Sequence, residues 1–218
     1  MSPGRDVGTR HNLEQCNLEQ RGVVDLADVR IEVHSISIAS PYRQRGRRHR
    51  RAAPNPYDAP VAGLIRSRLA ELGLTLHGPH PPHDPLDAVV VHDGIARTSG
   101  QLPRIEGRLT CIGTLGDTVS VAEGNTAAAV CVLNALAVLE AALGSLDRVD
   151  RVLTVTGYVA STPDFHEQPA VMDGASKILH DVFGDAGRHT RSAVGVASLP
   201  RGGAVEIEVV VALRSAGD

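Results

Sequence analysis

Residues 191–211, RSAVGVASLPRGGAVEIEVVV, constrain the fold more than any other stretch of the chain. Two alternating apolar runs flank Pro200, Arg201, Gly202 and Gly203, and that punctuation predicts a β-hairpin with a slightly long turn. Side chains alternate along a strand, so Arg191, Ala193 and Gly195 share one face of the first run. In the second, Ala204, Glu206, Glu208 and Val210 share a face opposite Val205, Ile207, Val209 and Val211. Charges within apolar strands cost free energy unless they are paired or used. Arg191 and Glu206 are therefore predicted to form a small polar site.

The rest of the chain supplies the elements that pair with this stretch. Residues 87–92 (DAVVVH) and 95–101 (IARTSGQ) read as two strands around Asp93-Gly94, a strong hairpin turn. Ser120 and Glu123 have the spacing of a capping box and open a long helix to about Leu143, with Gly144 behind it as a C-cap. Ala128, Val132, Ala135, Leu136, Leu139 and Leu143 make its main apolar stripe, and Cys131 is predicted to be an inert buried thiol. Residues 152–161 form a strand, and residues 166–183 a second helix with Pro169 near its start, where proline is tolerated. Upstream, Leu64, Ile65, Leu69 and Leu72 recur at helical spacing before Gly73. Residues 102–118 read as a glycine-containing loop. The order from residue 87 is ββαβαββ. It predicts an α+β fold, a mixed β-sheet with its two main helices on one face. The other face must find a partner, which predicts an oligomer.

Charge divides the 218 residues into two segments. Residues 1–59 carry 10 Arg against 7 acidic residues, whereas residues 60–218 carry 12 basic against 18 acidic ones. Residues 43–51, RQRGRRHRR, lie beside Pro54 and Pro56, a pattern that predicts a disordered basic extension over residues 1–59 and a folded domain over 60–218. Aromatics are only 2%, so no aromatic pattern accompanies the arginines and a nucleic-acid partner is not expected. Lys177 is the sole lysine and is predicted to be an exposed helical one, which leaves little room for Schiff-base chemistry. Cys16, Cys111 and Cys131 are odd in number and lack CxxC spacing, which predicts neither a disulfide framework nor a structural zinc and fits a reducing cytosol. His77, His80 and His83 would line one side of a polyproline II segment, but loop histidines beside prolines are read as exposed and no metal is assigned. No run is read as membrane-spanning or as a signal peptide, so a cytoplasmic location is expected.

Three stretches carry a family resemblance. TSGQLP at 98–103, AALGSLD at 141–147 followed by the strand at 152–159, and RSAV at 191–194 with Leu199-Pro200 and VEIE at 205–208 occur in the order of the Rid/YjgF family. The chain resembles these imine deaminases, once described as endoribonucleases, over about residues 86–211. The resemblance implies a chorismate-mutase-like fold and a homotrimer with clefts between subunits. It implies that Arg191 binds the carboxylate of a 2-imino acid and that Glu206 positions the attacking water. Backbone at Gly100 and Ala193 would contribute to the cleft. Ser99 is a further substrate-binding candidate, and Tyr158 and Ser192 are secondary ones, Tyr158 reading first as a packed strand tyrosine. No cofactor is implied.

The general chemistry agrees. A guanidinium pairs with a planar carboxylate through two parallel hydrogen bonds, and water addition to C=N needs an oriented proton acceptor. The sequence departs from the family pattern at three places. Leu86 stands where deaminating members carry a tyrosine, Ala193 replaces a cysteine, and neither Asp173 nor Ser176 clearly matches an asparagine of the second helix. A homotrimer that binds a carboxylate metabolite without turnover is the alternative reading. An RNA-acting protein is a more distant one, because the folded part is net acidic.

Overall fold

The computed structural model describes residues 63–79 and 85–215. The chain divides into two units, Met1–Arg45 and Gly46–Asp218, and every described residue lies in the second. The predicted basic extension, His80 and His83 fall outside the described residues.

Local chemistry explains where the elements start and stop. Strands β1 (Val89–His92) and β2 (Ile95–Thr98) form an antiparallel hairpin. Asp93 and Gly94 both take positive φ, 47° and 73°, as the tight turn that matches strand twist requires. Helix α2 (Val121–Leu143) begins with the complete capping box: Ser120 Oγ accepts from the Glu123 amide, and Glu123 accepts from the Ser120 amide. It ends at Gly144 in the left-handed conformation. Helix α3 (Gln168–Phe183) has Pro169 in its first turn, where a missing N–H costs nothing. The short helix α1 (Leu64–Glu71) lacks a cap of its own. Asp147, far along the chain, accepts from the Leu64 and Ile65 amides at 3.0 and 2.8 Å.

Five strands form the main sheet in the order β1-β2-β7-β5-β6, where β5 is Val149–Ala160, β6 Thr190–Val196 and β7 Val205–Leu213. All neighbours are antiparallel except β5 and β6, which run parallel. The predicted terminal hairpin is therefore corrected. β6 and β7 do not pair, because β5 lies between them. The cause is α3: a helix linking two strands packs back on the sheet and returns the second strand parallel to the first. The Pro200–Gly202 turn then carries the chain past the end of β5, where the Ala160 amide donates to the Ala204 carbonyl.

Helices α2 and α3 cover one face. Val205, Ile207, Val209 and Val211 from β7 and Val152, Val155 and Val159 from β5 are buried in one core with Val132, Leu136, Leu139, Met172 and Leu179 of the helices. Each such side chain contributes about 1.5–3 kcal/mol by leaving water. One reading is corrected here: by length and composition α2 is apolar enough to cross a bilayer. Of its most apolar window, 78% is buried inside the domain, so its apolarity is spent on the sheet and on α3. Residues 102–118 hold one feature beyond a loop, a miniature hairpin of β3 (Arg104–Ile105) and β4 (Arg108–Leu109). Asn134 of α2 secures its start by donating to the Leu102 and Arg104 carbonyls.

Candidate functional site

The register of the sheet decides which side chains meet. Tyr158 of β5 stands opposite Glu206 of β7 and opposite Val194 of β6, so these three share a face. Val155 stands opposite both Arg191 and Val209, so Arg191 shares the face that α2 and α3 cover. Arg191 and Glu206 thus project from opposite faces of one sheet. The expectation that one chain brings them together is overturned. The face pattern along each run was correct, but with β5 between them the two strands' charged positions fall out of phase.

On the face away from the helices, Glu206 lies over Gly100. A β-carbon on Gly100 would overlap the Glu206 carboxylate where it lies, so a side chain there would displace it. Ser99 precedes this contact; its hydroxyl and its carbonyl both accept from the Gln101 side chain, at 3.1 and 3.3 Å. Burial is the main cause that pushes the Glu206 carboxyl above its ordinary pKa; neighbouring Glu208 adds to the rise and Arg104 opposes it. Glu208 is itself held by Arg97, Nη2 to Oε2 at 2.8 Å. Gly100, Ser99, Tyr158 and Glu206 therefore form one group, without the Arg191 and Ala193 that were expected beside them, and with Arg97, Arg104 and Glu208 as its charged surroundings.

On the helix-covered face, edge strand β6 presents Arg191, with Ala193 two residues along on the same face. Arg191 Nη1 donates to Asp173 Oδ1 at 2.9 Å and to Ser176 Oγ at 3.0 Å, both on α3. The Ser176 hydroxyl also meets His189 Nε2 at 3.1 Å, and His189 Nδ1 lies 2.6 Å from the Gly187 carbonyl. The Arg191 side chain is 22% exposed, against 67% for Asp173, so the guanidinium is partly desolvated beside a wet carboxylate. Sequence reasoning named Asp173 and Ser176 only as poor matches to an asparagine, and it missed His189. The i, i+3 spacing of Asp173 and Ser176, which puts both on one helix side, was the available signal.

Lys177 is exposed and ion-paired with Asp181. Burial pushes the half-buried Cys111 thiol up to about 11 and the fully buried Cys131 thiol well above its ordinary value, so both stay protonated. Among the described residues, no three or more His, Cys, Asp or Glu side chains are grouped to hold a metal ion. Leu86 is 62% exposed and brings no hydroxyl to either group.

Comparison with known proteins gives concordant results. The family model "YjgF/chorismate mutase-like, putative endoribonuclease" matches residues 67–208. Protein TCP17 of Trypanosoma cruzi is 40% identical over 156 residues, which is 71% of this chain and 98% of the relative. The crystal structure of Atu1372, a protein of unknown function from Agrobacterium tumefaciens, is 41% identical with a TM-score of 0.64, covering 69% of this chain and 94% of that one. A structure from Shewanella oneidensis described as a putative endoribonuclease is 31% identical with a TM-score of 0.66, covering 68% and 99%.

Proposed function

Because the chain belongs to the YjgF/chorismate-mutase-like (Rid/YjgF) family, we propose that it is an imine deaminase, hydrolysing 2-imino acids to 2-keto acids and ammonia. The observation that carries this reading is the tether of Arg191. Its Nη1 takes both Asp173 and Ser176, while Nε and Nη2 meet no hydrogen-bond partner among the described residues. The Nε–Nη2 edge is one of the two guanidinium edges that can pair bidentately with a carboxylate, and the one left open here. Glu206 supplies the second requirement, a carboxylate in a partly dry setting above Gly100.

In this mechanism Arg191 binds the substrate carboxylate and Glu206 orients water. As the water oxygen attacks C2, Glu206 accepts its proton and the C=N bond becomes a single bond. Glu206 passes that proton to nitrogen, giving an amino alcohol. The hydroxyl proton then moves through Glu206 to the amino nitrogen as the C–N bond breaks, so that C=O forms and ammonia leaves. Water is the only co-reactant. The opposite facing of Arg191 and Glu206 within one chain supports a site that two copies complete, Arg191 from one and Glu206 from its neighbour. We take that assembly to be a homotrimer acting in the cytoplasm.

The test is ammonia release from an imine generated in situ, with Arg191→Ala as the control. Equal rates for wild type and variant would overturn the reading. The second reading, a trimer that binds a carboxylate metabolite without turnover, draws on Ala193 and Leu86, which bring neither thiol nor phenol. Carboxylates that raise the melting temperature without ammonia release would favour it. RNA cleavage ranks behind both, since residues 60–218 carry 12 basic against 18 acidic residues and phosphate contacts need the reverse balance.

A further inference from the structure

We propose that Ser176 and His189 are positioning residues that set the Arg191 guanidinium for its carboxylate ligand. The inference rests on the role given to Arg191 above and adds two residues to it. The hydrogen-bond directions follow one from the next. A backbone carbonyl can only accept, so His189 Nδ1, 2.6 Å from the Gly187 carbonyl, carries the ring proton. When the ring is neutral this leaves the lone pair at Nε2, and the Ser176 hydroxyl 3.1 Å away donates to it. With its proton so committed, Ser176 Oγ turns a lone pair to Arg191 Nη1 at 3.0 Å. The Nη1 of this β6 arginine is thereby held by α3 through Ser176 and Asp173, and Ser176 is in turn held by His189, which is anchored on the last residue of the Gly184–Gly187 turn.

Asp173 meets the same nitrogen but cannot serve alone. Its side chain is 67% exposed, so water competes for it and its aim is loose. Ser176 and His189 are both partly buried and have few alternatives. Fixing Nη1 from the α3 side orients the plane of the guanidinium and leaves the Nε–Nη2 edge without a partner among the described residues. A guanidinium free to swing would still attract an anion but would lose the paired geometry.

The experiment uses the full chain, with 2-oxobutanoate as the probe in calorimetry, imine hydrolysis as the activity, and ring-nitrogen NMR on His189. Ser176→Ala and His189→Leu are expected to weaken 2-oxobutanoate binding about tenfold and to raise KM similarly with kcat little changed. His189→Gln, which restores an acceptor near the Nε2 position, is expected to recover most of the affinity, and Ser176→Thr likewise. In the wild type the ring should carry its proton on Nδ1, with the Nε2 signal moving in Ser176→Ala. Wild-type affinity in folded Ser176→Ala and His189→Leu, or a ring proton on Nε2, overturns the inference. Binding that responds as expected without any ammonia release leaves the positioning role standing and overturns only the deaminase reading. A wild-type chain that binds no 2-oxobutanoate overturns both.

Discussion

Glu206 occupies the space that any β-carbon on Gly100 would need. The two residues come from the central strand and from the segment just after β2, so sheet pairing alone brings them together. Glycine at position 100 permits that close approach and does not serve a left-handed backbone.

Replacing it tests the contact. In Gly100→Ala the displaced atoms are the far end of a flexible side chain, so stability should fall by no more than about 1–2 kcal/mol. Ammonia release should fall about tenfold or more, because a carboxylate moved by an ångström no longer orients water. Thermal melts alongside the ammonia assay separate the two effects, and an unchanged rate would remove Glu206 from the mechanism.

The raised pKa of Glu206 makes a prediction with a definite sign. Burial, then Glu208, lift its folded pKa above the ordinary value. Between those two values the folded state binds more proton than the unfolded one, so stability falls as pH rises through that window. Glu206→Gln should therefore be more stable than wild type at neutral pH, and the gap should close as pH falls through the raised pKa towards the ordinary one. Melting temperatures measured across pH check this. In the wild type the acid limb of the deaminase rate should sit above the ordinary carboxylate range, since the water-orienting form is the ionised one.

Asp147 caps a helix to which it does not belong. Its two carboxylate oxygens take the Leu64 and Ile65 amides, donors that otherwise lack an intrahelical partner. Asp147→Ala should cost about 1–2 kcal/mol, the usual value of a lost cap. The amides of α1 should lose hydrogen-exchange protection while those of α2 keep theirs. Protection lost evenly across both helices would mean that the carboxylate supports the whole domain instead.

Helices α2 and α3 pack closely at Gly174, where a β-carbon would overlap the backbone carbonyl of Asn125. Backbone cannot rotate aside as a side chain does. Gly174→Ala should destabilise the domain by about 2–3 kcal/mol, lowering the melting temperature by on the order of 10 °C. Because α3 carries Asp173 and Ser176, the affinity for 2-oxobutanoate should fall as well, measurable by calorimetry at a temperature where the variant is folded.

Local signals located the elements. The Asp93-Gly94 turn, the Ser120 and Glu123 capping box, Gly144 and Pro169 each act within a few residues of their own position, so their consequences could be read without knowing the fold. The two-residue strands β3 and β4 left no such mark, because their pairing is too short to impose a pattern. The resemblance at 98–103, 141–147 and 191–208 supplied the family and the fold, which the comparisons then showed.

What the sequence by itself determined is the content of each face: alternation puts Arg191 with Ala193, and Glu206 with Glu208, whatever the partners are. What only the tertiary structure decided is which faces coincide. A strand's period of two is indifferent to its neighbour, and the insertion of β5 between β6 and β7 places Arg191 against α3 and Glu206 on the opposite face. The same placement gave Arg191 its tether to Ser176 and His189. Pairing partners are chosen by packing of the whole sheet on its helices, and that energy is not carried by any single stretch of the chain.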